Sequence, residues 1–163
     1  MELVRAARRG DAAAMDALVR ELMPYVGRVC GAIALDRGDD AMQETFVAVL
    51  RNLHGLREPA AVHGWVRRIA VREAIRVARA ARTEVLDPGA LDRGAAPAVD
   101  LDAVVDVRSA LAGLSPEHRA VLVLREVDGL SEAEVAGLLG VAEGTVKSRL
   151  HRARAAFARR WAR

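Results

Sequence analysis

Arginines dominate the residues that could do chemistry in this chain, and they are concentrated in two short stretches. Six arginines accompany one acid between residues 65 and 82, and six arginines and one lysine accompany one acid between residues 142 and 163. Guanidinium groups bind phosphates through paired hydrogen bonds, so these stretches favour binding to a polyanion such as nucleic acid. An ordinary solvated helix face is the alternative. Residues 83–106 carry six acids and one arginine, so the net charge of the 163 residues is only +3.

The side chains that usually catalyse reactions or bind metals form no such pattern. The single cysteine, Cys30, falls on an apolar stripe of its helix, and the four histidines have no metal-ligand spacing with it. The sequence also contains neither common glycine-rich phosphate loop. We therefore predict that the chain is not an enzyme, has no catalytic residues and uses no metal or other cofactor.

The elements that position the arginines are predicted to be helices, because apolar residues recur at steps of three and four. In the first part of the chain the pattern predicts a helix over residues 11–34, bent at Pro24, and another over residues 61–82. Between them, Asp40 is expected to cap a helix with Gln43 reaching back. The predicted buried stripe of that middle helix consists of Met42, Phe46, Val49, Leu50 and Leu53.

A second set of helices follows a stretch rich in proline, glycine and acids. We predict helices over residues 101–112 and 116–127, then a short helix opened by a Ser131–Glu134 capping box and ended by Gly140, and a last helix from about Ala142. The predicted fold is all-α: two small helical domains, residues 1–82 and 100–163, joined by a flexible acidic linker at 83–99.

The last two helices have the proportions of a helix-turn-helix, with the turn at residues 140–142. An apolar stripe runs along the final helix through Val146, Leu150, Ala153, Phe157 and Trp161. Short donors and basic side chains at the start of the opposite face suit hydrogen bonding to base edges, whereas the later arginines suit phosphates. A solvated face without a ligand is again the alternative.

Four segments of this sequence resemble the extracytoplasmic-function (ECF) group of bacterial RNA polymerase sigma factors. RAARRGDAAAMDALVRELMPYVGRVC resembles the opening of the promoter-melting domain (region 2), and GDDAMQETFVAVLRNL resembles its helix that binds core polymerase. HGWVRRIAVREAIRVARAAR resembles the helix that meets the downstream promoter element. SPEHRAVLVLREVDGLSEAEVAGLLGVAEGTVKSRLHRARAAF resembles the upstream-element domain (region 4).

The resemblance implies roles for particular residues. Core polymerase would be bound by Asp40, Gln43 and Glu44, and downstream promoter DNA by Trp65, Arg67, Arg68 and Arg72. The upstream element would be bound by Thr145, Lys147, Ser148, Arg149 and Arg152. The loop of residues 54–64 would lie at a flipped base of the downstream element. Helix capping by Asp40, core packing by Trp65 and a phosphate or intramolecular contact by Arg149 remain alternatives.

The resemblance implies a sigma factor that binds core RNA polymerase, directs it to promoter DNA and assists strand separation. It also implies an anti-sigma partner. We expect the free chain to be a monomer. We expect it in the cytoplasm without membrane insertion, because no apolar run of 18 residues occurs and the start lacks an apolar signal core. A stand-alone helix-turn-helix regulator would explain the last 60 residues but not the turn at Asp40–Glu44. A small helical enzyme would need a convergent polar pocket.

Overall fold

The computed structural model describes residues 2–85 and 101–161, and within those ranges all regular structure is helical. The α-helices are α1 (Glu2–Arg8), α2 (Ala12–Ala34), α3 (Gly38–Asn52), α4 (Val62–Val85), α5 (Leu101–Ala112), α6 (Pro116–Leu122), α7 (Glu132–Leu139) and α8 (Glu143–Trp161). Short 3-10 turns join α2 to α3 and α3 to α4, and α6 continues as a π-helical turn over Val123–Val127. The all-α prediction is confirmed. Most of the predicted linker lies outside the described residues.

The first helical part is built from α2, α3 and α4, with α1 packed on its outside. Asp11 caps α2 by accepting a hydrogen bond from the Ala14 amide at 3.0 Å, and Pro24 lies within the helix. The chain can turn closely from α2 into α3 because Gly38 faces Gly31. A Cβ atom at Gly38 would lie 2.8 Å from the Gly31 Cα atom, so a larger residue would push the two helices apart.

Two predictions about α3 are wrong. The helix begins at Gly38, so Asp40 does not cap it with Gln43 reaching back; its carboxylate accepts a hydrogen bond from Arg37 Nε at 2.5 Å. Leu50 is 47% exposed rather than buried. The buried face of α3 is rotated towards Ala41, Thr45, Val49 and Leu53. The error arose because Leu50 also fits the helical spacing of the buried positions, and only the packing of α3 against α2 and α4 selects the face.

The second helical part contains the predicted helix-turn-helix. Ser115 caps α6, and Ser131 and Glu134 form the predicted capping box at the start of α7. Gly140 ends α7 in the left-handed conformation, with φ of 67°, which favours glycine. Helix α8 then begins at Glu143 and buries Val146, Leu150 and Ala153. Trp161, at the end of the apolar stripe, is 53% exposed and stacks on Phe157 with ring centroids 5.9 Å apart.

The two helical parts pack against each other, with α6 lying against α2 and α4. The guanidinium of Arg119 is buried at this contact and donates hydrogen bonds to the Ile33 carbonyl at 2.6 Å and to the Leu114 carbonyl at 2.8 Å. Burial lowers the pKa of Arg119, and the charge of Arg82 adds to this effect. A buried donor set with carbonyl partners therefore joins the end of α2 to the second part.

None of the helices in the described parts of the chain is both long enough and apolar enough to cross a membrane.

Candidate nucleic-acid interface

The start of α8 presents the polar face predicted for a recognition helix. Lys147, Ser148 and Arg152 are exposed, whereas Thr145 and Arg149 are half-buried. The Ser148 hydroxyl donates a hydrogen bond to the Thr145 carbonyl at 3.0 Å. In the described ranges no carboxylate oxygen lies within 4.0 Å of Lys147, Arg149 or Arg152. The basic side chains of this face are therefore available to an external anion.

The electrostatic environment beneath α8 is positive. His118 on α6 has its pKa lowered, first by burial and then by the charge of Arg149, with a smaller effect from Arg152. A neighbouring positive charge disfavours the protonated imidazole. The charges of Arg149 and Arg152 therefore act on His118, and the negative charge of Glu117 opposes them.

The start of α4 brings together the four residues predicted to meet the downstream promoter element, but in different environments. Trp65 is half-buried and packs against the core of the first part. Arg68 and Arg72 are exposed, and Arg72 Nε lies 3.4 Å from a carboxylate oxygen of Glu73. Arg67 is half-buried and points into the contact between the two helical parts. Only part of this predicted surface is therefore open to solvent.

Arg67 belongs to a polar group that we call the Asp128 cluster, made of Tyr25, Arg28, Arg67 and Asp128. The Asp128 side chain is only 2% exposed and accepts hydrogen bonds from the Tyr25 hydroxyl at 2.6 Å and from Arg28 at 3.2 Å. Arg67 Nε donates to the Tyr25 hydroxyl at 2.9 Å and lies 3.5 Å from an Asp128 oxygen. Burial raises the pKa of Tyr25 to about 12, helped by the hydrogen bond to Asp128. The hydroxyl therefore stays a donor at neutral pH.

The Asp128 cluster could not be predicted from the sequence pattern. Tyr25 and Asp128 are 103 residues apart, and no spacing rule connects positions so far apart in the chain. In the sequence, Asp128 simply follows the helix predicted over residues 116–127. Asp128 is buried because α6 packs against α2, and this packing places the turn after α6 beside Arg28 and Arg67 of the first part.

Acidic partners also engage the later arginines of α4. Arg76 Nε lies 2.7 Å from Glu73, and another nitrogen of Arg76 lies 3.2 Å from Glu44 on α3. Arg79 pairs at 2.5 Å with Glu117, which lies in the second helical part. The basic stretch of residues 65–82 is therefore largely neutralised within the chain.

The three residues predicted to bind core polymerase lie together at the surface of α3. Asp40, Gln43 and Glu44 are all exposed. Leu50 lies on the same side, because it follows Gln43 by seven residues, or two helical turns. We call Asp40, Gln43, Glu44 and Leu50 the α3 outer face. Leu50 was assigned to the core by its spacing, so the sequence analysis missed it as a candidate contact.

The structure also places Cys30 and the side chains that could bind a metal ion. Cys30 is fully buried with its Sγ atom 3.7 Å from the Thr45 hydroxyl, and burial raises its pKa to about 11. The thiol is therefore protonated and inaccessible at neutral pH. Across residues 2–85 and 101–161 there is no group of three or more His, Cys, Asp and Glu side chains placed to hold a metal ion.

Comparisons with known proteins agree with this architecture. The Sigma-70 region 2 family model matches residues 18–84, and the model described as Sigma-70, region 4 matches residues 105–157. The chain is 37% identical to the ECF RNA polymerase sigma factor SigM of Mycobacterium tuberculosis, over 97% of this chain and 82% of that protein. It is 36% identical to the sigma factor SigE of Mycolicibacterium smegmatis, over 89% of this chain and 62% of that protein.

Solved structures resemble the whole chain as well. CnrH in complex with the cytosolic domain of CnrY matches with a TM-score of 0.65 and 26% identity, covering 96% of this chain and 92% of that one. The sigma factor RpoE of Bartonella quintana, in complex with the anti-sigma factor NepR, has the same fold with a TM-score of 0.66 and 23% identity, covering 89% of this chain and 94% of that one. The two family domains and the relative that is 37% identical over most of both chains show that this chain belongs to the ECF group of the sigma-70 family of RNA polymerase sigma factors.

Proposed function

We propose that this chain binds core RNA polymerase through the α3 outer face and directs it to promoters through α8 and α4. The polymerase carries out RNA synthesis, and the chain, which has no catalytic role of its own, selects the promoter and helps to separate its strands. It acts in the cytoplasm, where polymerase and chromosome are found. Residues 1–82 form the polymerase- and downstream-element domain, and residues 100–163 form the upstream-element domain.

The observation that carries this proposal is the α3 outer face. Leu50 is 47% exposed two helical turns beyond Gln43, on a helix whose opposite side is packed. An exposed leucine on the same side of a helix as exposed polar residues suits a protein-protein contact. A helix-turn-helix regulator that acts alone has no need of such a surface, since its DNA contacts all lie in the second domain.

Replacing both Gln43 and Glu44 by Ala tests the polymerase contact. Because the two side chains face solvent, the double variant should keep its helicity and melting temperature while its affinity for core polymerase falls at least tenfold, or about 1.4 kcal/mol. Leu50→Ala should act in the same direction. The control is Asp16→Ala with Arg20→Ala, an exposed ion pair on α2. Equal retention of the double variant and the control in a pull-down with core polymerase would remove the assignment.

The two proposed DNA-binding surfaces differ in how accessible they are to DNA in the docked chain. Ser148 and Arg152 on α8 are exposed and suit base edges and phosphates of the upstream element in the major groove. Arg67 on α4 is half-buried in the contact between the two helical parts, so the downstream element would gain full access to its guanidinium only when the parts separate. We infer that promoter binding by both domains involves separation of the Asp128 cluster.

An anti-sigma factor is the second partner that we propose. Both CnrH and the Bartonella sigma factor were solved with a protein bound, the latter with an anti-sigma factor. In this chain a groove of about 700 Å³ runs between α4 and the turn after α7. Its floor is apolar, formed by Val71, Ile75, Leu138, Leu139 and Val141. Arginines along its rim, including Arg68, Arg72 and Arg149, favour an amphipathic helix with acidic flanks.

A synthetic helix with a leucine face flanked by glutamates is the probe for this groove. We expect it to bind the full chain and to be displaced by salt, because part of its affinity is electrostatic. Ile75→Glu should weaken binding at least tenfold by placing a charge in the apolar floor. Val107→Glu, at an apolar residue that is 39% exposed on α5, is the matched control. Equal binding by both variants would exclude this groove.

A further inference from the structure

A small cleft lies at the contact between the two helical parts, and we call it the Arg119 cleft. Its volume is about 350 Å³. Arg82, near the end of α4, and Arg119 on α6 both line it. The other lining residues are Ala78, Ala112, Gly113, Leu114 and Pro116. Because both helical parts supply lining residues, the complete cleft exists only while the two parts are docked.

The positive charges in the Arg119 cleft are not neutralised by the residues that line it. There is no acid among these lining residues, and in the described ranges no carboxylate lies within 4.0 Å of Arg82 or Arg119. Glu117 acts on Arg119 over a longer distance, but Arg79 already engages its carboxylate at 2.5 Å. Arg82 and Arg119 therefore repel each other across the contact between the helical parts.

Arg119 has a hydrogen-bonding group that its protein partners leave unused. The residue is only 6% exposed, and its Nε atom donates to the Ile33 carbonyl at 2.6 Å. Its Nη1 atom donates to the carbonyls of Leu114, at 2.8 Å, and Leu111, at 3.4 Å. No acceptor in the described part of the chain takes a hydrogen bond from Nη2. The carbonyls thus fix a guanidinium whose remaining nitrogen can bind an oxyanion at little entropic cost.

A third guanidinium lies at the edge of the cleft. That of Arg160, near the end of α8, lies against Gly113 and occupies the space that a Cβ atom at residue 113 would need. Several arginines around a small volume favour a compact anion that carries more than one charge. The described lining contains no aromatic residue, so the base of a nucleotide would have no ring to stack on.

We propose that the Arg119 cleft binds a small polyvalent oxyanion of the phosphate or pyrophosphate class, held by Arg82 and Arg119, and that this anion stabilises the docked chain. An anion that binds only the docked arrangement favours it by mass action. Arg67 and Arg79 of α4 then stay paired with acids of the second helical part. The anion site goes beyond the proposed function, and only its consequence for promoter binding rests on that function.

The first test is a calorimetric titration of the full chain with pyrophosphate in buffer without Mg²⁺. We expect a Kd below about 1 mM. Arg82→Gln removes one of the two arginines that line the cleft, so it should weaken binding about tenfold. Because Arg82 is exposed, the melting temperature of the variant should stay unchanged.

The matched control is Arg57→Gln. Arg57 is also exposed, and with Arg8 it lines another basic cleft, of about 530 Å³, between α1 and the turn after α3. The control removes the same charge away from the Arg119 cleft, and salt screens its effect at that distance. It should therefore weaken pyrophosphate binding by less than about threefold.

The second test asks whether the anion holds the two helical parts together. Asp128→Asn removes the acid of the Asp128 cluster, which should weaken docking and raise the radius of gyration measured by small-angle scattering. Pyrophosphate should lower the radius of gyration of this variant towards that of the unmodified chain, whereas sodium chloride at equal ionic strength should not. Adding Arg82→Gln to Asp128→Asn should abolish the effect of pyrophosphate.

Any of four outcomes would overturn the proposal. They are no binding of pyrophosphate up to about 10 mM, equal weakening by Arg82→Gln and Arg57→Gln, an unchanged radius of gyration of Asp128→Asn with pyrophosphate, and tighter binding of a duplex without promoter sequence that Arg82→Gln abolishes. The last result would assign the cleft to DNA phosphates. These titrations use neither polymerase nor promoter, so their failure leaves the polymerase contact of Gln43 and Glu44 to be judged by its own pull-down.

Discussion

The two predicted DNA-binding helices, α4 and α8, carry similar numbers of basic residues but differ in how many of them pair with carboxylates of the same chain. On α4, the arginines at 67, 72, 76 and 79 each lie within 4.0 Å of a carboxylate from the same chain. On α8, Lys147, Arg149 and Arg152 have no such partner within the described ranges. The arginine charges of α8 even lower the pKa of the neighbouring His118.

This difference shows that a basic stretch in the sequence does not by itself define a free basic surface. The acids that neutralise α4 come from its own turn, from α3 and from the second helical part: Glu73, Glu44, Glu117 and Asp128. Two of the four are present only while the domains are docked. The proposed upstream-element surface is therefore basic in the docked chain, whereas undocking would release Arg67 and Arg79 on α4 and leave Glu73 and Glu44 beside Arg72 and Arg76.

The largest effect that bears on this comparison is expected from Asp128→Asn. Removing the buried carboxylate leaves Arg28 and Arg67 without their acid, which should disfavour docking by roughly 2–3 kcal/mol, less than for a fully buried pair because both arginines are partly solvated. The radius of gyration from small-angle scattering should rise, and binding of a single strand to the first domain should strengthen.

Glu126→Gln is the control for that variant, because the ion pair of Glu126 is with Arg154, inside the second domain. It should leave the radius of gyration unchanged. If the radius of gyration of Asp128→Asn equals that of the unmodified chain, then neutralisation of the α4 arginines by docking does not limit the exposure of α4.

A smaller effect is expected from a change on α8, the other predicted DNA-binding helix. Arg152→Ala removes an exposed guanidinium from the recognition helix, so it should cost about 1–3 kcal/mol at a cognate upstream element and relax preference at one position. The measurement is a titration of the full chain against cognate and scrambled duplexes.

Arg159→Ala, two helical turns further along α8, is the matched variant for Arg152. It should weaken both duplexes alike and lower the salt slope by about 0.9, as expected for one phosphate contact. Equal losses on cognate and scrambled DNA for Arg152→Ala would show that the recognition helix is placed in the wrong register.

The smallest expected change concerns Cys30, which reports whether undocking disturbs the first domain. Its thiol is fully buried with a pKa of about 11, so alkylation at pH 8 should be negligible in the unmodified chain and in Asp128→Asn, and complete in denaturant. Rapid labelling of the variant would mean that it unfolds rather than undocks.

The same thiol gives a pH dependence with a defined sign. In the unfolded chain the thiol ionises near its ordinary pKa of 9.0, whereas the folded chain holds the proton until about pH 11. The unfolded state therefore loses a proton first, and the free energy of unfolding should fall as pH rises from 9 to 11. Cys30→Ala should reduce that dependence in denaturant titrations at several pH values.

The sequence by itself determined the helices of both parts and most of their ends. The Ser131–Glu134 capping box, the cap at Ser115 and the left-handed Gly140 were all predicted correctly. Each depends on hydrogen bonds between residues at most four apart, so the local order of residue types is sufficient. The helix-turn-helix and its exposed polar face followed from these ends and from the apolar period of α8.

Helix α1 and the exposure of Leu50 could be assigned only from the packed structure. Helix α1 is short, and Val4 and Ala7 are its buried residues, so its apolar pattern is too brief to distinguish from a loop. Leu50 fits the helical period as well as its buried neighbours do. Which side of α3 faces inward depends on the crossing of α3 with α2 and α4, and that is a property of three helices rather than one.

Only the tertiary structure decided which charges meet. Arg67 and Asp128, or Arg79 and Glu117, are joined because α6 packs against α2 and α4, with the buried Arg119 between them. Ion pairs form between side chains that folding brings within a few ångströms, and their separation along the chain places no limit on this. For the same reason, the cleft lined by Arg8 and Arg57 could not be predicted from the sequence, because it exists only where α1 packs beside the turn after α3.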